Sequence, residues 1–216
     1  VTETLGSLRS RILRMLGDPE GTAYSNELLV DSIGEALDAI LPWIPKTAIA
    51  SITGNGSATA FALPTDCYQL QAVVIQVSGE ILSAAVLSPG QFRGTNLATI
   101  NDWIEYPSGY ITFSKVLANA EIYDCFYHAH WTKPSITTPD DTVMEPPGYA
   151  MTGVVLYASA FAILPSSVSV SEVRNWLTKA DSGIPEHNPM QKTASYLLSL
   201  FTQEMNRHPK ANRATR

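Results

Sequence analysis

His128 and His130 stand one residue apart in a stretch that alternates like a strand, so their imidazoles share a face, with Asp124 further along it beyond Phe126. A His-x-His pair on a strand can supply two ligands to zinc, but a zinc site needs a third and fourth partner, and none stands at a recognisable spacing. Two strand histidines at the rim of a sheet explain the same residues without a metal, so His128 and His130 remain weak metal candidates. Cys67 and Cys125 are the only cysteines, without CxxC spacing, and read as buried thiols made in a reducing compartment. Ser108 falls in a hairpin turn and not on a strand-to-helix elbow, and Gly90 and Gly94 lack the Gly-Lys that would complete a phosphate loop. Asp140 and Asp141 lie in a Pro- and Thr-rich linker, where a solvated, mobile loop is expected. Neither a catalytic residue nor a cofactor is expected, and the chain reads as a non-enzyme.

Charge points to contacts instead. Residues 22–206 hold seven basic against seventeen acidic side chains, whereas residues 207–216 hold four basic and no acidic ones. An acidic body argues against sequence-independent DNA binding, which needs positive surface to release counterions. The basic end, with Arg207, Lys210, Arg213 and Arg216 at every third position, reads either as a disordered terminus or as an arm that orders in an acidic groove of a partner. Glu27, Asp31, Glu35 and Asp38 recur at helical spacing without a Lys or Arg on the same helix. They form either a solvated face or a surface that meets a basic neighbour or repels DNA.

The elements that must position these residues follow from periodicity. Thr2 to Leu16 predicts a helix with Leu5, Leu8, Ile12, Met15 and Leu16 inward, stopped by Gly17; Arg9, Arg11 and Arg14 interrupt its apolar face, so no signal peptide is expected. Ser25 caps a second helix with Leu29, Ile33, Ala36, Leu37 and Ile40 inward, ended by Pro42 and Pro45. From Ala48 the period becomes two. Gly54-Asn55-Gly56 predicts a hairpin between Ile49–Thr53 and Ser57–Leu63, followed by Leu70–Val77 with Glu80–Leu87 and by Trp103–Tyr106 with Tyr110–Ser114. Glu121 to Trp131 is the longest strand. Aromatics on both its faces suggest that it is covered on both sides, centrally or by a neighbour.

Thr132 to Pro147 predicts the return to helix, Tyr149 to Leu164 a helix apolar nearly all round, Ser171 to Ala180 a short helix and Met190 to Asn206 the last, with Leu197, Leu198, Phe201 and Met205 inward. Tyr149 to Leu164 is short for a bilayer span, so no membrane partner is expected. A helix apolar all round must be buried on every side, which here predicts cover from a second subunit through Val154, Tyr157 and Phe161. The fold class expected is α+β: a helical bundle of residues 1–47 and 146–206, a β-rich antiparallel insertion, sandwich- or barrel-like, of residues 48–145, and a basic arm of residues 207–216.

Within the insertion, Pro64 locks its own φ and extends Leu63, while Asp66 is expected to fold its carboxylate onto the following N–H groups. The Arg-rich first helix and helix pair, the run of Phe61, Leu63, Pro64, Asp66, Tyr68 and Leu70, the Tyr110-Ile111-Thr112-Phe113 strand, the aromatic pair Phe126-Tyr127 before Pro134 and the closing helices resemble tailed-bacteriophage head-to-tail adaptor (connector) proteins. The likeness spans about Leu5 to Asn206. It departs at Pro165 to Pro189, longer and more broken than a plain closing hairpin. The resemblance implies a structural virion protein of the neck, assembled in the host cytoplasm as a ring of identical subunits, a dodecamer, below the portal protein. It further implies a downstream tail, stopper or nozzle protein, passage of DNA without specific binding, and a C-terminal arm that grips the portal. The alternative from another class is a tail or baseplate binding module whose Trp103, Tyr106, Tyr110, Tyr123, Tyr127 and Trp131 contact saccharide. A strand-based metallohydrolase using His128 and His130 is a third reading.

Overall fold

The computed structural model describes residues 3–84, 103–106, 109–164 and 189–208, with the side chains of 104–106 and 189 left aside. The fold is α+β, with N-terminal and C-terminal helices packed together and antiparallel strands between them. Two compact units divide at Pro45/Lys46 and at His130/Trp131. The return segment from Trp131 to Pro147 therefore belongs with the helices.

In the helical unit, α1 (Leu5–Leu16) starts where Thr4 Oγ1 accepts the Ser7 N–H and stops at Gly17, whose φ of 74° is a left-handed cap. Asp18 then accepts N–H bonds from Thr22, Ala23 and Tyr24 and so holds the turn into the next helix. α2 (Asn26–Ile40) is capped by Ser25, and its predicted stripe of Leu29, Ile33, Ala36, Leu37 and Ile40 is buried throughout. These join α3 (residues 151–164) and α4 (Pro189–Met205) in one core. Gly153 lets α4 come close, its Cα facing the Met205 methyl and Phe201. The start of α2 at Ser25 was predictable because capping chemistry is local, while α1 starts three residues later than the Thr2 expected.

In the other unit, β1 (Lys46–Thr53), β3 (Cys67–Ile75), β4 (Ile81–Leu82) and β7 (Ile122–Ala129) form a sheet in the order β1-β7-β3-β4. β2 (Ala60–Ala62), β5 (Trp103–Tyr106) and β6 (Tyr110–Phe113) form a second, in the order β2-β6-β5. Both sheets turn side chains into one core, Val73, Tyr123, Cys125 and Tyr127 from the first, Trp103, Ile111 and Phe113 from the second. The longest predicted strand, β7, lies between β1 and β3.

The hairpin expected around Gly54-Asn55-Gly56 does not form: β1 pairs with β7, and β2 with β6 in the other sheet. The chain instead turns a corner against the loop before β7. Gly54 donates to Glu121 O and accepts from Ala120 N–H, Gly56 donates to Leu117 O, and Asn55 Oδ1 accepts the N–H groups of Ser57 and Ala58. Glycine is required at 54 because a Cβ would run into the Ala118 carbonyl oxygen. The glycines serve close approach and not a tight hairpin. The Pro64 corner also differs in detail: Cys67 N–H closes it onto Pro64 O, and the Asp66 carboxylate takes the Tyr127 hydroxyl at 3.2 Å. Of the later predicted elements, 85–102 and 165–188 lie outside the described residues.

Gly54→Ala is expected to destabilise the protein by about 1–3 kcal/mol through forced backbone displacement. A urea midpoint unchanged from the parent would remove close approach as the reason for this glycine.

Candidate functional site

The acidic stripe forms as predicted on the outer face of α2, with Glu27, Asp31 and Glu35 exposed and Asp38 half-buried. It is not without a cation. Lys133, from the return segment, places Nζ 2.5 Å from Asp38 Oδ2, and its stem lies over Gly34, where no side chain intervenes. The Asp38 bond, first among the causes, raises the Lys133 pKa, with Glu35 adding to it. Val30, Asp31, Gly34, Glu35, Lys133, Pro134 and Phe161 line a shallow cleft of about 380 Å³ there. The partner escaped sequence reasoning because it is 95 positions away from Asp38 in the chain, on another element.

Of the linker carboxylates, Asp141 is exposed as expected, while Asp140 is held in place. Asp140 pairs with Arg9 at 2.5 Å and its carbonyl accepts the Gly6 N–H, so this part of the return segment is fixed to the start of α1. Arg11 pairs with Glu3 at 2.6 Å, and Arg14 Nε donates to Ser10 O at 3.2 Å, so all three arginines of α1 are engaged within the chain. At the other end, Arg207 pairs with Glu204, while Lys210, Arg213 and Arg216 lie outside the described residues.

Much of the cover expected for α3 from another subunit comes from the chain itself. Val154 is fully buried in the chain's own core, and Tyr157 meets Phe201 edge-on at a centroid distance of 5.1 Å. Only Thr152 and Leu164 of α3 are exposed, and Phe161 keeps partial exposure at the cleft. The chain supplies enough apolar surface from α1, α2 and α4, with Trp43 and Trp131 added from the loops. The Trp131 indole N–H donates to Ile44 O at 3.0 Å.

The aromatic surface proposed for saccharide is likewise not a surface. Trp103, Tyr123, Tyr127 and Trp131 are core residues, the first three on the inward faces of their strands and Trp131 in the helical core. Tyr110 is exposed, and the Tyr106 side chain is not described. What the outward face of β1, β7 and β3 presents instead is Ile49, Phe126, His128 and Gln71 around an open cleft of about 520 Å³. Phe126 is 37% exposed, so the described residues leave the second face of β7 only partly covered.

His128 sits at this cleft with Nδ1 3.3 Å from the Gln71 amide nitrogen, a contact satisfied when that ring nitrogen is an unprotonated acceptor. The His130 ring meets Tyr68 edge-on at 5.4 Å. Among the described residues no group of three or more His, Cys, Asp or Glu could hold a metal ion. Cys67 and Cys125 are both free thiols; burial, with smaller effects of Cys67 and Asp124, pushes Cys125 up to about 12 and leaves it unreactive. No described helix is long and apolar enough to cross a membrane. Compared with models of known protein families and with curated proteins, the chain matches none.

Burial holds the His128 imidazole below its ordinary 6.5. The unfolded chain then takes up this proton before the folded one, so the neutral ring's contribution to stability is complete above 6.5 and declines as pH falls through the lowered value. An NMR titration should give His128 a midpoint below 6.5, and His128→Gln should reduce the loss of urea resistance between neutral and mildly acidic pH. A midpoint at or above 6.5 would contradict the assigned burial.

Proposed function

We propose that this chain is a structural adaptor of the head-to-tail joint of a tailed bacteriophage, standing as a ring between the portal protein and the next tail, stopper or nozzle protein. The observation that carries the reading is architectural: the first and last helices close on one core, and the antiparallel strands inserted between them close on another, with the Leu63-Pro64-Thr65-Asp66 corner joining β2 to β3. That is the order of elements in the family the sequence resembles. The chain does no chemistry in this role. It transmits position, joining one partner through its helical unit and basic arm and another through its sheets.

The exposed carboxylates of Glu27, Asp31 and Glu35 support a DNA-repelling wall, since like charge keeps a passing duplex from adhering. Lys133 leaves that character intact because it neutralises Asp38 at the end of the stripe. Ring formation draws no support from α3, which its own chain covers, and rests on the resemblance. A saccharide-binding role loses its basis with the burial of Trp103, Tyr123, Tyr127 and Trp131.

Deleting residues 207–216 should leave the thermal unfolding midpoint unchanged and abolish binding to the cognate portal, read by co-sedimentation and by negative-stain images of portal with and without an added ring. Full-length protein that forms no ring on the portal would overturn the adaptor reading. Portal binding undiminished by the deletion would remove the arm from it.

A further inference from the structure

We infer that the edge of β1, which no other described strand pairs, is a strand-addition site for a second copy of this chain, which docks its own β1 antiparallel across a twofold axis. The eight residues of β1 pair with β7 without a register shift, so the strand is regular from end to end. Residues 47–53, Thr-Ala-Ile-Ala-Ser-Ile-Thr, contain no charge and no proline. Exposed edges are normally blunted by charges, proline, bulges or shortness, and this one has none of these over that span.

The direction of its free backbone groups follows from its neighbours. Gly54 N–H donates to Glu121 O, so by the antiparallel alternation Ala48, Ala50 and Ile52 also aim their backbone groups at β7. Thr47, Ile49, Ser51 and Thr53 aim theirs away. The opposite side of β7 obeys the same parity, with Gln76 N–H donating to Ile122 O. The side chains of these four residues are exposed, Ile49 at 60%.

The chemistry of the edge calls for an extended strand of equal length. Among the described edges β2 has three residues, β4 two and β5 four, so only another β1 matches it. In a chain of net charge −6, β1 carries no acid, so two copies meet there without opposed carboxylates. A twofold axis at Ile49 places Ile49 opposite Ile49 and Thr47 opposite Ser51, a β-branched pair flanked by hydroxyl pairs. The two four-stranded sheets then continue as one, and the apolar strip from Ile49 to Phe126 runs across the join. Such a pair closes on itself, so it differs from a ring of copies related by rotation about one axis, and it does not rest on the adaptor reading.

Analytical ultracentrifugation of the full chain should show mass doubling with concentration. Hydrogen exchange resolved by residue should show protection of the Thr47, Ile49, Ser51 and Thr53 amides rising in step, with Ala48, Ala50 and Ile52 protected throughout. Ile49→Lys should abolish both changes while keeping the circular dichroism spectrum. Ile81→Lys, an exposed change on the far edge of the same sheet, should abolish neither. A chain that stays monomeric, or a dimer in which those four amides exchange as freely as in the monomer, would overturn the assignment. So would loss of the dimer in Ile81→Lys with those amides unprotected.

Discussion

The structure depends on the pairing of β1 with β7. The chain leaves the helical unit after Pro45 and returns to it at Trp131, and everything between must end where it began. Opposing Lys46 to Ala129, the pairing brings the two ends of the insertion together over eight consecutive residue pairs. Closing a loop of that length costs about 4 kcal/mol of chain entropy. The ladder, and burial of Tyr123, Cys125 and Ala129 on its inner side, offset that cost inside the insertion itself. On the helical side, the Trp131 indole bond to the Ile44 carbonyl ties the same two chain ends. The helices can then fold as if the insertion were a short connection.

Legibility in the sequence follows the range of the interactions. Ser25 and Gly17 act on backbone groups within four residues, so the start of α2 and the end of α1 could be read from them, whereas α1 starts after Thr4 and not at the expected Thr2. Alternation along 122–129 told which side chains share a face, and Tyr123, Cys125, Tyr127 and Ala129 do. Pairing partners were another matter. Asn55-Gly56 is a strong local signal for a hairpin, but the Gly54 backbone gains more by lying against the 117–121 loop, a partner more than sixty residues away. Sequence showed glycines where special backbone was needed without showing which special demand they met.

The candidate surfaces divide in the same way. Acidic spacing on α2 was visible because it is a single-helix property, whereas Lys133 belongs to a segment that reaches the helix only in the folded chain. Aromatic richness misled for a related reason. Composition cannot say which side of a sheet is wet, and four of the six aromatic residues taken for a binding surface fill cores instead. Conversely, the wet side holds Ile49 and Phe126, which a pattern search assigns to an interior.

Self-coverage of α3 changes how any assembly must be understood. Had that helix been open on one side, folding and association would have been one event, since a monomer would expose an apolar face too large to remain in water. With Ala150, Met151, Val154, Val155, Ala158 and Ala162 already enclosed, α3 needs no other copy to bury these side chains. Association is then a binding equilibrium between formed subunits, governed by concentration and by whatever template aligns them, and the surfaces that drive it must be ones a monomer can tolerate exposing. The acidic face of α2 and the uncharged edge of β1 both meet that condition. They differ in sign of effect: the first keeps like-charged neighbours and polyanions apart, while the second presents solvent-facing backbone groups that another extended chain can pair.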